Sequence, residues 1–284
     1  MMKVYWMGLV LGLAALGLTA RGGNAEAEAL RVMAFNIRYN NPDDGVHAWP
    51  NRTDRVASVI RFHGADVVGV QEALLGQIRD LERRLPGFDW IGQGRGAGEM
   101  EGEFSPIFYR TDRLEVLDHG TFWLSETPEQ PGSRGWDAAL PRIVTWARFR
   151  DRVTGTAFVH ANTHFDHRGE QARRESATLL VDRLDAIAGE APAVVTGDFN
   201  ATPDSEVYAT LSAALTDAAS AAGITHGPAG TYTGFEVTDE PGRRIDYIFV
   251  TDGVTVTRYG VLTDQWRGRY PSDHRPVLAE VTLP

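Results

Sequence analysis

The sequence predicts an α+β protein in which mixed β-sheets pack face to face with helices outside. Three observations predict it. Apolar strand-like runs outnumber helical ones along the 284 residues. Helices follow only some of those runs, whereas a purely parallel sheet needs a crossover after every strand. Short turns such as Thr251-Asp252-Gly253 join other runs directly.

The elements follow in chain order. Leu30–Asn36 (LRVMAFN) is an apolar strand. Residues 51–63 carry Val56, Val59, Ile60 and Phe62 at helical spacing. Residues 66–71 (DVVGVQ) are a second strand. Residues 74–85 read as a helix that Pro86-Gly87 ends. Strands are expected at 105–109, 143–150 and 156–164. Residues 168–188 form the longest helical pattern, with Leu179, Leu180, Leu184 and Ile187 on its buried side. Residues 193–196 are a short buried strand entering a glycine turn, and strands at 244–250, 254–262 and 277–283 complete the set. Three irregular stretches, 40–50, 92–103 and 125–141, are long for a compact domain, and such loops are more often functional than idle.

Composition limits the chemistry. The chain has no cysteine, which excludes disulfides, thiolate metal sites and cysteine nucleophiles. Any metal must take oxygen or imidazole ligands, a preference of magnesium, manganese or calcium. The formal net charge of −10 gives no long-range attraction to a phosphate polymer. Lys3, the apolar run 4–18 and the small-x-small patterns Ala25-Glu26-Ala27 and Ala27-Glu28-Ala29 read as a secretory signal peptide. The expected organisation is a signal peptide at 1–27 and one domain at 28–284. The mature chain is expected to be a monomer without a transmembrane segment, in the periplasm or outside the cell.

One pattern recurs: an apolar run ends and a metal- or phosphate-binding side chain follows at once. Asn36, Glu72, His164, Asp198 and Asn200 sit at strand carboxyl ends. Asp246 and Asp273-His274 precede strands. Antiparallel neighbours would bring both kinds of end to one rim. Glu72 is the best metal ligand, since magnesium keeps several waters and takes one or two carboxylates. Asn36 can hold the Glu72 carboxylate or touch the metal. In Gly197-Asp198-Phe199-Asn200 an extended backbone would point Asp198 and Asn200 to one face and Phe199 into the core, although the same residues also suit an Asx turn. Asp246 can fix the tautomer of His274, and Asn162-Thr163-His164 offers a second imidazole. Arg142 can pair with a phosphate, although a solvated surface arginine is the commoner case. Trp49, Trp123, Trp136 and Trp266 can stack on a substrate but are more often core, and Arg173-Arg174 reads as a solvated helix face.

The ordered set Asn36, Gln71-Glu72, Asn162-Thr163-His164, Gly197-Asp198-Phe199-Asn200, Asp246-Tyr247 and Ser272-Asp273-His274 resembles the endonuclease/exonuclease/phosphatase superfamily. The resemblance spans Leu30 to the end and implies a four-layer α/β/β/α sandwich. It implies a divalent-metal hydrolase of phosphate esters, with Mg2+ or Mn2+ on Glu72, Asn36 beside it and Asp273 as a further ligand. It gives Asp198 to the attacking water or the leaving group, Asn200 and His164 to the phosphate oxygens, His274 to the transition-state charge, Asp246 to its orientation and Tyr109 to the phosphate. The expected substrate is a phosphodiester in a lipid, glycan or small molecule. Nucleic acid is the alternative substrate, and a non-catalytic phosphate-binding protein is the alternative of another class.

Overall fold

The computed structural model describes residues 1–2, 29–238 and 242–284. The signal-peptide reading therefore falls largely outside the described residues. Among the described residues no helix is long and apolar enough to cross a membrane.

Thirteen strands among the described residues form two mixed sheets. The first has seven strands in the order β10-β12-β13-β1-β2-β4-β3. They are β1 (Leu30–Asn36), β2 (Val67–Gln71), β3 (Phe88–Ile91), β4 (Ile107–Arg110), β10 (Ile224–His226), β12 (Thr255–Val261) and β13 (Val277–Thr282). The second has six in the order β5-β6-β7-β8-β11-β9. They are β5 (Leu114–Trp123), β6 (Ile143–Asp151), β7 (Ala157–His164), β8 (Ala193–Asp198), β9 (Thr216–Asp217) and β11 (Asp246–Val250).

Residues alternate between the two faces of a strand, so each sheet has an inner and an outer set. Val32, Ala34 and Val67 face Val194, Ile248 and Val250 in the core between the sheets. The outer face of the first sheet, with Met33, Phe35, Val68 and Val70, is covered by α1 (Thr53–Phe62) and α2 (Leu75–Glu82). The outer face of the second, with Val195 and Phe249, is covered by α3 (Glu170–Ala188) and α4 (Glu206–Ala214). The short α5 (Ala218–Ala221) packs beside β12. This is the expected four-layer sandwich.

Several expectations need correction. Phe62 ends α1 but is 82% exposed, so the helix buries only Val56, Ala57, Val59 and Ile60 from its apolar positions. Gly197 lies within β8 rather than in a turn. β3, β5 and α4 had no expected counterpart. β5 hides because Asp118, His119 and Gly120 interrupt its alternation next to a bulge on an edge strand. α4 is short, and its sign was Ser205, whose side chain accepts from the Tyr208 N–H as an N-cap.

A buried polar seam sets how closely the sheets approach. Asn162 on β7 donates through Nδ2 to the Val70 carbonyl at 2.8 Å and the Pro106 carbonyl at 3.0 Å. Its Oδ1 accepts from Gln71 Nε2 at 2.6 Å and from Thr196 Oγ1 at 3.0 Å. Gly69 makes this possible, because a Cβ there would stand 2.0 Å from Thr196 Oγ1 and 2.4 Å from Asn162 Oδ1. Gly69→Ala is therefore expected to destabilise the fold by at least the 1–3 kcal/mol typical of overpacking. Urea unfolding checks this, and a variant as stable as the wild type would contradict the close approach.

Candidate active site

The strand directions gather the polar ends at one rim. β1 and β2 run parallel, with Asn36 beside Gln71, and β7 and β8 run parallel, with His164 beside Asp198. β11 runs antiparallel to β8, so its first residue, Asp246, pairs with Asp198, the last of β8. β13 runs antiparallel to β1, so Asp273 and His274 enter from the same side. Ser272 fastens that entry by donating to the Asn36 carbonyl at 2.7 Å. The rim opens into a cleft of about 600 Å³ that Glu72, His164, Asp198, Asn200, Asp273 and His274 help to line.

Backbone strain aims two of these groups. Glu72 and Asn200 have positive φ, 62° and 48°, which is uncommon for residues with a Cβ. Such positions cost about 1–3 kcal/mol each and cluster at functional sites. The Asn200 N–H donates to Asp198 Oδ1 at 2.9 Å, which is an Asx turn. Phe199 is buried against Phe165, Tyr247 and Phe249, as expected. Asn200 still reaches the cleft, by the turn rather than by an extended backbone.

Asn36 Nδ2 donates to Glu72 Oε1 at 3.1 Å and to Asp198 Oδ2 at 2.9 Å, joining carboxylates from the two sheets. Its amide oxygen accepts from the Arg38 N–H at 3.0 Å, so Asn36 holds both carboxylates and is itself held by the backbone. The second Glu72 oxygen accepts from the Tyr39 N–H at 3.1 Å. Burial, then the neighbouring Asp246, raises the Asp198 carboxyl above the usual range. Burial also raises Asp273, which lines the cleft.

The two imidazoles differ. Burial opposes charge on His274, but Asp246 and Asp198 outweigh it and raise its pKa well above the ordinary value. Its Nδ1 meets Asp246 Oδ2 at 2.8 Å, and its Nε2 lies 3.8 Å from Asp198 Oδ2. His164 is held neutral by burial and by Arg142 and Arg95. Its Nε2 lies 3.1 Å from Asn200 Nδ2, a partner that a cation at that nitrogen would displace.

Two sets of ligand atoms each lie within 4.8 Å of one another: Glu72, His164 and Asp198, and Asp198, Asp246 and His274. The second set already holds the His274 proton. The first pairs two carboxylates with a neutral imidazole, a donor set that fits a hard divalent cation. Asp273 belongs to neither set.

Arg142 is not a solvated arginine. It is 4% exposed, with Nε 3.4 Å from Asp166 and Nη2 3.0 Å from His167 Nδ1, while Nη1 is buried and without a hydrogen-bond partner. Burial opposes the charge on Asp166, but backbone N–H groups of Gly169 and Arg168 hold its pKa near 2. Tyr109 is a correction: it starts from the opposite end of the sheet, pairs with Val67 and packs on Phe149 between the sheets. Trp49 and Trp123 are buried, and none of the four tryptophans considered lines the cleft. Arg173, expected on a solvated face, lines the cleft and donates to the Asp166 carbonyl at 3.0 Å. Arg38, Arg95, Glu103 and Arg243 line it as well. The length of loop 92–103 was a sign of Arg95 and Glu103, which it carries, while Arg38 and Arg243 had none.

Fold and site together define the scaffold of a family whose members include metal-dependent phosphoester hydrolases. The chain belongs to the endonuclease/exonuclease/phosphatase family, whose model matches residues 33–274. It is similar to an endonuclease/exonuclease/phosphatase structure from Bacteroides vulgatus, at 45% identity and a TM-score of 0.87 over 90% of this chain and 99% of that one. It is also similar to a mannosyl-6-phosphatase of Bacteroides thetaiotaomicron, at 39% identity and a TM-score of 0.85 over 89% of this chain and 99% of that one. Nocturnin of Drosophila melanogaster is 30% identical over 213 residues, 66% of this chain and 31% of that protein. The chain spans between 25% and 37% of the length of the curated relatives it matches.

The His274–Asp246 pair has a measurable sign. A raised folded pKa keeps the imidazolium charged above the ordinary value of about 6.5. The stability it contributes is full below that value and is lost as pH rises through the folded pKa. Nitrogen NMR in metal-free buffer is expected to show His274 doubly protonated at pH 7, and Asp246→Asn to lower its pKa. A neutral wild-type ring at pH 7 would contradict the assignment.

Proposed function

We propose that the chain is a phosphomonoesterase acting on a phosphorylated sugar, using Mg2+ or Mn2+, in the periplasm or outside the cell. The observation that carries this reading is Arg142. A buried guanidinium at the wall of the cleft that carries the candidate metal ligands suits a dianionic phosphate. Arg38, Arg95 and Arg173 add positive charge around the same cleft, in a chain of net charge −10. The similarity to the mannosyl-6-phosphatase supports a sugar phosphate as the substrate. The leader-like segment 1–27 supports export. The diester expectation becomes the second outcome of the test.

The residues divide the work. Glu72, Asp198 and His164 would hold the cation, which supplies Lewis acidity and a more acidic water when bound. Asp198 takes the proton of the attacking water. The water oxygen forms the new bond to phosphorus as the ester P–O bond breaks. The sugar oxygen leaves with the bonding pair and takes a proton from solvent water to become the alcohol. The His274 imidazolium offers a charge-assisted donor to a phosphoryl oxygen, and Asp246 keeps it charged and oriented. Asn200 and Arg142 hold the remaining oxygens.

The test compares rates in Mg2+ or Mn2+ on mannose 6-phosphate, p-nitrophenyl phosphate, bis-p-nitrophenyl phosphate, sphingomyelin and RNA. Monoesters are expected to turn over fastest, and Glu72→Ala to lose at least about 100-fold. Faster cleavage of a diester or of RNA than of either monoester would overturn the proposal.

A further inference from the structure

A second groove, of about 360 Å³, adjoins the cleft on the side of α3 and α4. The two share Arg173, Asn200, Arg243 and Ile245 as a common wall. The groove continues past Asn200 along the turn 201–205 to the start of α4, where Thr202 and Glu206 form its lining. Glu170, at the start of α3, lines it as well.

The chemistry of this lining is selective. Glu170 and Glu206 are both exposed carboxylates, and the Glu206 side chain lies 3.5 Å from Arg174. Among the described residues no aromatic ring lines the groove. A polynucleotide would need rings for its bases or a cationic track for its next phosphate. Beyond the shared wall Glu170 and Glu206 stand against Arg174 alone, which makes no cationic track. Acidic, amide and guanidinium groups instead suit the donors and acceptors of an uncharged polyhydroxylated ligand. The shared wall means that whatever occupies the groove can be joined to the group bound in the cleft.

We propose that this groove binds the neighbouring sugar of a glycan whose phosphorylated hexose sits in the cleft. This rests on the phosphomonoesterase reading and narrows it: the preferred substrate is a phosphorylated oligosaccharide rather than a free sugar phosphate. Thr202 and Glu206 are specificity-determining positions that lie outside the catalytic set.

The experiment measures kcat/KM for mannose 6-phosphate and for a mannose disaccharide carrying the same 6-phosphate, in Mg2+. The disaccharide is expected to be preferred by about tenfold or more, as one or two added hydrogen bonds would give. Thr202→Trp, which fills the groove, and Glu206→Arg, on the exposed surface, are expected to reduce that ratio by about the same factor. Thermal melting checks that each variant folds. A wild-type ratio near one, or a ratio unchanged in both folded variants, overturns the subsite while leaving the parent reading intact. Turnover of neither sugar phosphate overturns both. A Glu206→Arg enzyme that gains RNA cleavage with the disaccharide ratio unchanged overturns the sugar assignment in favour of a nucleic acid.

Discussion

The site depends on one side-chain amide shared between two carboxylates. Asn36 Nδ2 donates to Glu72, at the end of the first sheet's β2, and to Asp198, at the end of the second sheet's β8. Like charges this close in a low-dielectric rim repel strongly. A neutral donor between them lowers that cost without removing the negative potential. The remainder is met on one side by the His274 imidazolium and, on the other, by the cation that the Glu72–His164–Asp198 set suits. At the same rim, burial and then the neighbouring Asp246 raise the proton affinity of Asp198.

That crowding needs two sheets held in fixed alignment. The Asn162 seam supplies it, since its four hydrogen bonds tie β7 to β2, to β8 and to the Pro106 carbonyl just before β4. An unpaired carbonyl there would carry the desolvation cost of a buried polar group. Backbone strain at Glu72 and Asn200 is tolerated because the surrounding hydrogen bonds over-determine both positions. The rim is therefore arranged before substrate arrives, as electrostatic stabilisation of a transition state requires.

The strands that carry the chemistry were readable from the sequence because each is a buried apolar run that stops at a polar residue. Asn36, Glu72, His164, Asp198, Asp246 and His274 all meet at the rim for that reason. Elements at the edges were less readable. β3 and β5 are half-exposed, so packing imposes little pattern on them. Tyr109 misled because apolar strand residues near a motif say nothing about which end of the strand faces the site. Arg142 was a candidate from the sequence, but the other arginines were not readable. Arg95 and Arg173 reach the cleft by loop and helix geometry that no periodicity encodes.

The most direct test of this account is thermal unfolding of chelator-stripped protein with and without Mg2+ or Mn2+. A ligand that binds only the folded state stabilises it by about 2.7 kcal/mol at a hundredfold excess over its dissociation constant. The account predicts a melting temperature that rises with cation concentration in the wild type and stays flat in Glu72→Ala. A wild-type protein indifferent to both cations, or a Glu72→Ala variant shifted as much as the wild type, would contradict it.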